Sequence, residues 1–165
     1  MIYFTTFILT LLLSHIARAT PACVDVTSPE ELYDPTYADA QSVPPIVVVY
    51  SVTWSSKYDN PNANVSCSNG PHGLVPLYPH FRNLPGFPYI GGAFNIKRGS
   101  PNCGECWNLT HLGTHKSILF TAIDTATTGF NISREAFIVL NGGKLGGGRL
   151  QAEAKLIPRH FCGFK

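Results

Sequence analysis

The sequence predicts a small, mainly β barrel with one short helix, and three observations carry that expectation. Short β-branched and aromatic runs recur along the chain, separated by clusters of Gly, Pro, Asn and Asp. The last of them alternates strictly: Leu150, Ala152, Ala154 and Leu156 fall on one side, Arg149, Gln151, Glu153 and Lys155 on the other, as in a strand with one dry and one wet face. Only one stretch reads as a well-capped helix, and helices do not alternate with the strands, which argues against a βαβ sheet.

Taken in order, residues 1–19 read as a secretory signal peptide. The apolar run Phe7 to Leu13 is followed by Ala17-Arg18-Ala19, a small-x-small cleavage pattern. That run is shorter than the ~20 residues a membrane span requires, and no later stretch is long and apolar enough. Residues 20–45 read as an acidic, Pro-containing leader or linker without sustained apolar periodicity, and disorder is expected there. The barrel domain is placed at residues 46–165.

Ile46-Val47-Val48-Val49-Tyr50-Ser51-Val52-Thr53-Trp54 is β-branched and aromatic and is the first strand expected. Between Ser68 and Gly86 glycine and proline come too often for long elements, although a short helix through residues 78–82 fits. Residues 89–96 and 106–110 read as strands, and the Gly91-Gly92 pair in the first suggests a bulge or a close backbone approach. Residues 117–123 form a buried strand ending on Asp124. Asn131-Ile132-Ser133 then opens the helix: Ser133 or Asn131 caps it, Glu135 lies in its first turn, and Ala136, Val139 and Leu140 share a face. Gly142-Gly143 ends it, and the Gly-rich stretch 142–148 reads as a hairpin rather than a phosphate loop, because it follows a helix instead of leading from a strand into one.

Charge divides unevenly. Residues 20–45 carry Asp25, Glu30, Glu31, Asp34 and Asp39 with no Lys or Arg, whereas residues 46–165 carry eleven Lys and Arg against five Asp and Glu. A basic body suits anionic surfaces or wall polysaccharides as well as plain solubility. The basic residues are scattered rather than clustered, and nothing here resembles a nucleic-acid module.

Behind a signal peptide, Cys67, Cys103, Cys106 and Cys162 are expected to pair, leaving Cys23 over. Cys103-Gly104-Glu105-Cys106 could be a redox pair, half a zinc site or two disulfide anchors, and an oxidising compartment favours the last. Four cysteines allow three connectivities, and the sequence does not choose among them. By loop-closure entropy each bridge contributes about 4 kcal/mol.

Hydrolysis of glycosides ordinarily needs two facing carboxyl groups. The body offers Asp59, Glu105, Asp124, Glu135 and Glu153, and only Asp124 has an unusual setting, at the mouth of a mostly apolar strand. A lone carboxylate there suits ligand binding better than an acid/base cycle, and its plain alternative is a turn-capping Asp. The histidines lack zinc-type spacing, so no metal and no cofactor are expected. Trp54, Tyr58, Tyr78, Phe81, Phe87, Tyr89, Trp107 and Phe130 cluster around turns, where rings either fill a barrel core or stack on sugars. Asn64, Asn108 and Asn131 head sequons and are candidate glycosylation acceptors.

Several stretches together resemble the cerato-platanin family, small secreted fungal proteins related to the first domain of expansins. They are Cys67-Ser68-Asn69-Gly70 with Gly73-Leu74, Leu84-Pro85-Gly86-Phe87-Pro88 with Ile90-Gly91-Gly92-Ala93-Phe94, Asn102-Cys103-Gly104-Glu105-Cys106-Trp107, and Ala122-Ile123-Asp124 with Gly129-Phe130-Asn131-Ile132-Ser133. The resemblance implies a six-stranded double-psi β-barrel and disulfides Cys67–Cys103 and Cys106–Cys162. It also implies binding of chitin-type N-acetylglucosamine oligomers in a shallow groove without clear hydrolysis, wall loosening, and perception by plants as an elicitor, with a plant immune receptor as a further partner. The sugar-binding aspartate and asparagine fall on Asp124 and Asn131, with Tyr58 and Asp59 as further groove residues. Near its start the chain departs from the family pattern, because Tyr33-Asp34-Pro35-Thr36-Tyr37-Ala38-Asp39-Ala40 is more similar to the expected motif than residues 52–60 are. A secreted monomer is expected. On the binding reading, Asp124→Ala weakens oligomer binding and shifts the thermal midpoint by only a few degrees. The alternatives are a weak endoglucanase using Asp124 with Asp59, and an amphiphilic protein that self-assembles at surfaces.

Overall fold

The computed structural model describes residues 42–51, 53 and 64–165. Six strands and one α-helix follow in chain order: β1 (Ser42–Ser51), β2 (Ile90–Ala93), β3 (Glu105–His111), β4 (Ser117–Thr125), β5 (Phe130–Ser133), α1 (Arg134–Leu140) and β6 (Arg149–Ile157). The strands close into a barrel in the order β1-β5-β2-β4-β3-β6. Two neighbouring pairs, β1/β5 and β2/β4, are parallel; the other four are antiparallel. This is the six-stranded double-psi β-barrel that the resemblance implied. Closure leaves no sheet edge, so every strand has a hydrogen-bonding partner on each side.

The alternation of β6 is realised residue by residue. Leu150, Ala152 and Ala154 are buried while Arg149, Gln151, Glu153 and Lys155 are exposed. Its small inward residues lie opposite Ile46 and Leu109 and leave interior space for large rings from elsewhere. Phe120, Phe130 and Trp107 take that space: the Phe130 ring lies 5.2 Å from Trp107 and 5.7 Å from Phe120, both in edge-to-face contact. Of the aromatic residues weighed for sugar stacking, Phe81, Trp107 and Phe130 are therefore core. Edge-to-face packing adds about 1 kcal/mol per pair beyond the area buried.

Several expectations are corrected. The first strand begins at Ser42 and ends at Ser51, ahead of the expected 46–54, because its ladder with β6 already runs from Ser42. The strand expected over 89–96 stops at Ala93, where the Ala93 carbonyl turns back to accept from Ile96 N at 3.2 Å. The short helix expected over 78–82 is a single 3-10 turn at Phe81–Asn83. Asn131 and Ile132 do not open the helix; they belong to β5, parallel to β1 and antiparallel to β2, and the helix starts after Ser133. On α1 it is Phe137, packed 5.2 Å from the Tyr50 ring, that joins Ala136 and Leu140 in the core, while Val139 is 45% exposed.

Ser133 is the N-cap, its Oγ accepting from Ala136 N at 3.1 Å. The helix ends at Leu140. The Gly-rich stretch after it joins a helix to a strand and so is not a hairpin. The Gly91-Gly92 bulge is present as a register shift against β4, and a Cβ on Gly91 would run into the Asn131 carbonyl oxygen. Two disulfides fasten the loops: Cys67–Cys103 with Cα atoms 5.4 Å apart and Cys106–Cys162 with Cα atoms 5.6 Å apart. No helix among the described residues is long and apolar enough to cross a membrane.

Candidate functional site

One end of the barrel gathers the polar groups. β2 and β4 finish there, and β3 and β5 begin there. Gly92 is the register partner of Asp124 on one side and of Asn131 on the other, so the two predicted sugar-binding residues flank a residue with no side chain. At a strand spacing of about 4.8 Å their backbones lie roughly 10 Å apart. Glycine is required at this point, since a Cβ on Gly92 would come 2.9 Å from the Thr125 carbonyl oxygen. The bulge sequence brings the end of β4 across the end of β2 and sets the two polar side chains around it.

Asp124 is half-buried, and its Oδ1 accepts three hydrogen bonds: from Ser66 Oγ at 2.6 Å, Ser66 N at 2.9 Å and Thr125 N at 2.8 Å. The turn-capping role weighed for it is thus realised in part, and extended to a distant loop. Its Oδ2 takes no hydrogen bond from the described residues. Asn131 differs. Its Oδ1 is buried, and among the described residues neither that oxygen nor its amide nitrogen has a hydrogen-bond partner. Leaving a buried acceptor unsatisfied costs about 1–3 kcal/mol, so such an atom calls for water or a ligand group.

Tyr58 and Asp59 lie outside the described residues, as do Cys23, Trp54 and the signal and leader segments. Of the three sequon residues, Asn64 is exposed, while Asn108 and Asn131 are half-buried, each with a buried Oδ1. His111 and His115 are joined by backbone, and His111 Nδ1 faces Thr114 Oγ1 at 2.9 Å. Among the described residues no three His, Cys, Asp or Glu side chains converge as a metal site.

Sequence reasoning gave Glu105 no role beyond its place between two cysteines. It starts β3 at the same end of the barrel, where its Oε2 accepts from Asn95 Nδ2 at 2.7 Å and from Trp107 Nε1 at 3.2 Å. The Trp107 partner was legible in principle, since residues two apart on a strand share a face. Asn95 was not, because its approach depends on how the chain turns after β2.

A closed double-psi barrel, held by two disulfides and carrying a polar rim around paired glycines, defines a class of small disulfide-stapled barrel proteins. Within it the chain belongs to the cerato-platanin family, whose model, described as Cerato-platanin, matches residues 50–164. Allergen Asp f 15 of Aspergillus fumigatus is 46% identical over 117 residues, spanning 68% of this chain and 76% of that protein. The crystal structure of cerato-platanin 2 from M. perniciosa superposes with a TM-score of 0.67 at 31% identity, covering 73% of this chain and all of the other. The solution structure of the fungal elicitor cerato-platanin gives 0.64 at 33% identity, covering 70% of this chain and 95% of the other.

Proposed function

We propose that this is a secreted, non-catalytic carbohydrate-binding protein whose ligand is a cell-wall polysaccharide, chitin-type N-acetylglucosamine oligomers foremost. The observation that supports the reading is the pairing of Asp124 and Asn131 across Gly92, where neither Asp124 Oδ2 nor the Asn131 side chain has a hydrogen-bond partner among the described residues. An amide offers a donor and an acceptor together, and a carboxylate accepts from hydroxyl or N–H groups; between them they match the acetamide and hydroxyls of such a sugar. Asp124 Oδ1 is occupied by three donors, a setting suited to a fixed acceptor rather than to a proton-cycling acid. Tyr58 supplies a stacking face and Asp59 a second acceptor in this reading, and the exposed Asn64 is the acceptor best placed for a glycan of the protein's own. Wall loosening in the extracellular space, and perception of the monomer by a plant immune receptor, follow as the biological role. Family membership, with the fungal elicitor cerato-platanin among the structural relatives, supports that role.

The test is a titration with chitotetraose followed by backbone amide NMR. Shifts concentrated at Gly92, Asp124 and Asn131 are expected; their absence at millimolar sugar overturns the reading. A reducing-sugar assay on chitin and cellulose is expected to show no release. Release abolished by Asp124→Asn would instead mark an enzyme.

A further inference from the structure

We infer that Phe94 and Glu105 form a sugar-ring subsite: one pyranose of a β-linked wall polysaccharide lays its apolar face on the Phe94 ring while a hydroxyl of that sugar donates to Glu105 Oε1. The inference rests on the carbohydrate-binding reading above and extends it past Asp124 and Asn131.

Phe94 is the first residue beyond β2 and is 39% exposed, although it belongs to an aromatic cluster. Its ring centre lies 6.0 Å from that of Trp107 and 5.8 Å from that of Phe130, and those two residues are 3% and 0% exposed. The buried rings therefore support Phe94 on its inner side and leave the rest of it in water. A ring held in this way loses little freedom when a ligand covers it, and covering it removes apolar surface from water.

The polar half is equally fixed. Glu105 Oε2 is clamped by Asn95 Nδ2 and Trp107 Nε1, so the carboxylate is oriented by the residue next to Phe94 and by a ring that touches Phe94. Oε1 takes no hydrogen bond from the described residues, and none of their Lys or Arg side chains pairs with it. A supported aromatic face and an acceptor held by the residue next in sequence suit a pyranose, which presents C–H groups on one face and hydroxyls around its rim. The subsite lies at the same end of the barrel as Asp124, since Phe94 follows Ala93, the register partner of Thr125.

The test compares calorimetric titrations of chitotetraose and cellotetraose into the wild type, Phe94→Ala, Phe94→Leu and Glu105→Gln. Phe94→Leu keeps apolar packing over Trp107 and Phe130 but removes the ring face, so it reports on stacking where the alanine variant loosens the fold. Loss of stacking is expected to weaken affinity about tenfold in both Phe94 variants, and reversal of the acceptor about threefold in Glu105→Gln. Wild-type affinity in Phe94→Leu overturns the subsite and leaves the carbohydrate reading standing. A wild type that binds neither oligomer overturns both.

Discussion

Asp124 and Ser66 are joined by two hydrogen bonds to one carboxylate oxygen, at 2.6 Å from the hydroxyl and 2.9 Å from the backbone N–H, across 58 residues of chain. Ser66 precedes Cys67, so the same contact positions the loop that carries the first disulfide. The carboxylate proposed for binding is also part of the barrel's framework.

Asp124→Ala is therefore expected to cost stability, contrary to the shift of a few degrees at most that the sequence suggested. Hydrogen bonds to a charged acceptor are worth about 1.5–3 kcal/mol, and Ser66 N would be left without its partner. At roughly 2–4 °C per kcal/mol for a chain of this size, the thermal midpoint falls by about 4–10 °C. Asp124→Asn keeps an acceptor at Oδ1 and should recover at least about half of that loss. Thermal melts by circular dichroism decide it; equal midpoints for alanine and wild type would show that the Ser66 contact contributes nothing.

Asn131→Ala should separate binding from folding. Its buried Oδ1 has no hydrogen bond to lose among the described residues, so stability in urea stays within about 1 kcal/mol of the wild type. Affinity for chitotetraose should fall about tenfold or more. A large stability loss with unchanged affinity would make Asn131 a structural residue instead.

Two glycines distinguish close approach from backbone conformation. Gly129 has φ +63°, and a Cβ there would run into the Val47 carbonyl oxygen; Gly143 has φ +94° with nothing within 4 Å of the added atom. Gly143→Ala should cost about 1–2 kcal/mol for the left-handed conformation alone. Gly129→Ala should cost more than about 3 kcal/mol, because β1 must move. Similar denaturation midpoints for the two variants would contradict the tight crossing of β1 over residue 129.

The Cys106–Cys162 bridge closes a separation of 56 residues and fastens the C-terminal turn to β3. Removing it as Cys106→Ala with Cys162→Ala should cost about 4 kcal/mol by loop entropy. Disulfide mapping by mass spectrometry should recover Cys67 with Cys103 and Cys106 with Cys162. Recovery of Cys67 with Cys162 would refute the connectivity.

Much of the barrel was readable from local pattern. The alternation along β6, the Ser133 cap and the glycine bulge each express a rule acting over a few residues, and the structure bears them out; the apolar run before Asp124 is a strand too, but it continues to Thr125 and leaves Leu119 39% exposed. Of the candidate site, Asp124 stood out by its place at the end of an apolar strand, but its grouping with Asn131 came only through family resemblance, since nothing near either residue in sequence shows that both pair with Gly92.

Sequence alone thus determined where the long strands lie, which residue caps the helix and which four cysteines are candidates to pair. Periodicity, capping and compartment are properties of a short segment or of the whole composition, and they need no knowledge of what lies opposite. Tertiary structure decided that residues 130–133 are a strand, which partner each of those four cysteines takes, and which groups face the ends of Asp124 and Glu105. A four-residue strand has too little pattern of its own and exists because β1 and β2 supply its ladder on both sides. Likewise, a carboxylate's role here depends on a serine 58 residues away, a distance over which only the closed barrel correlates positions.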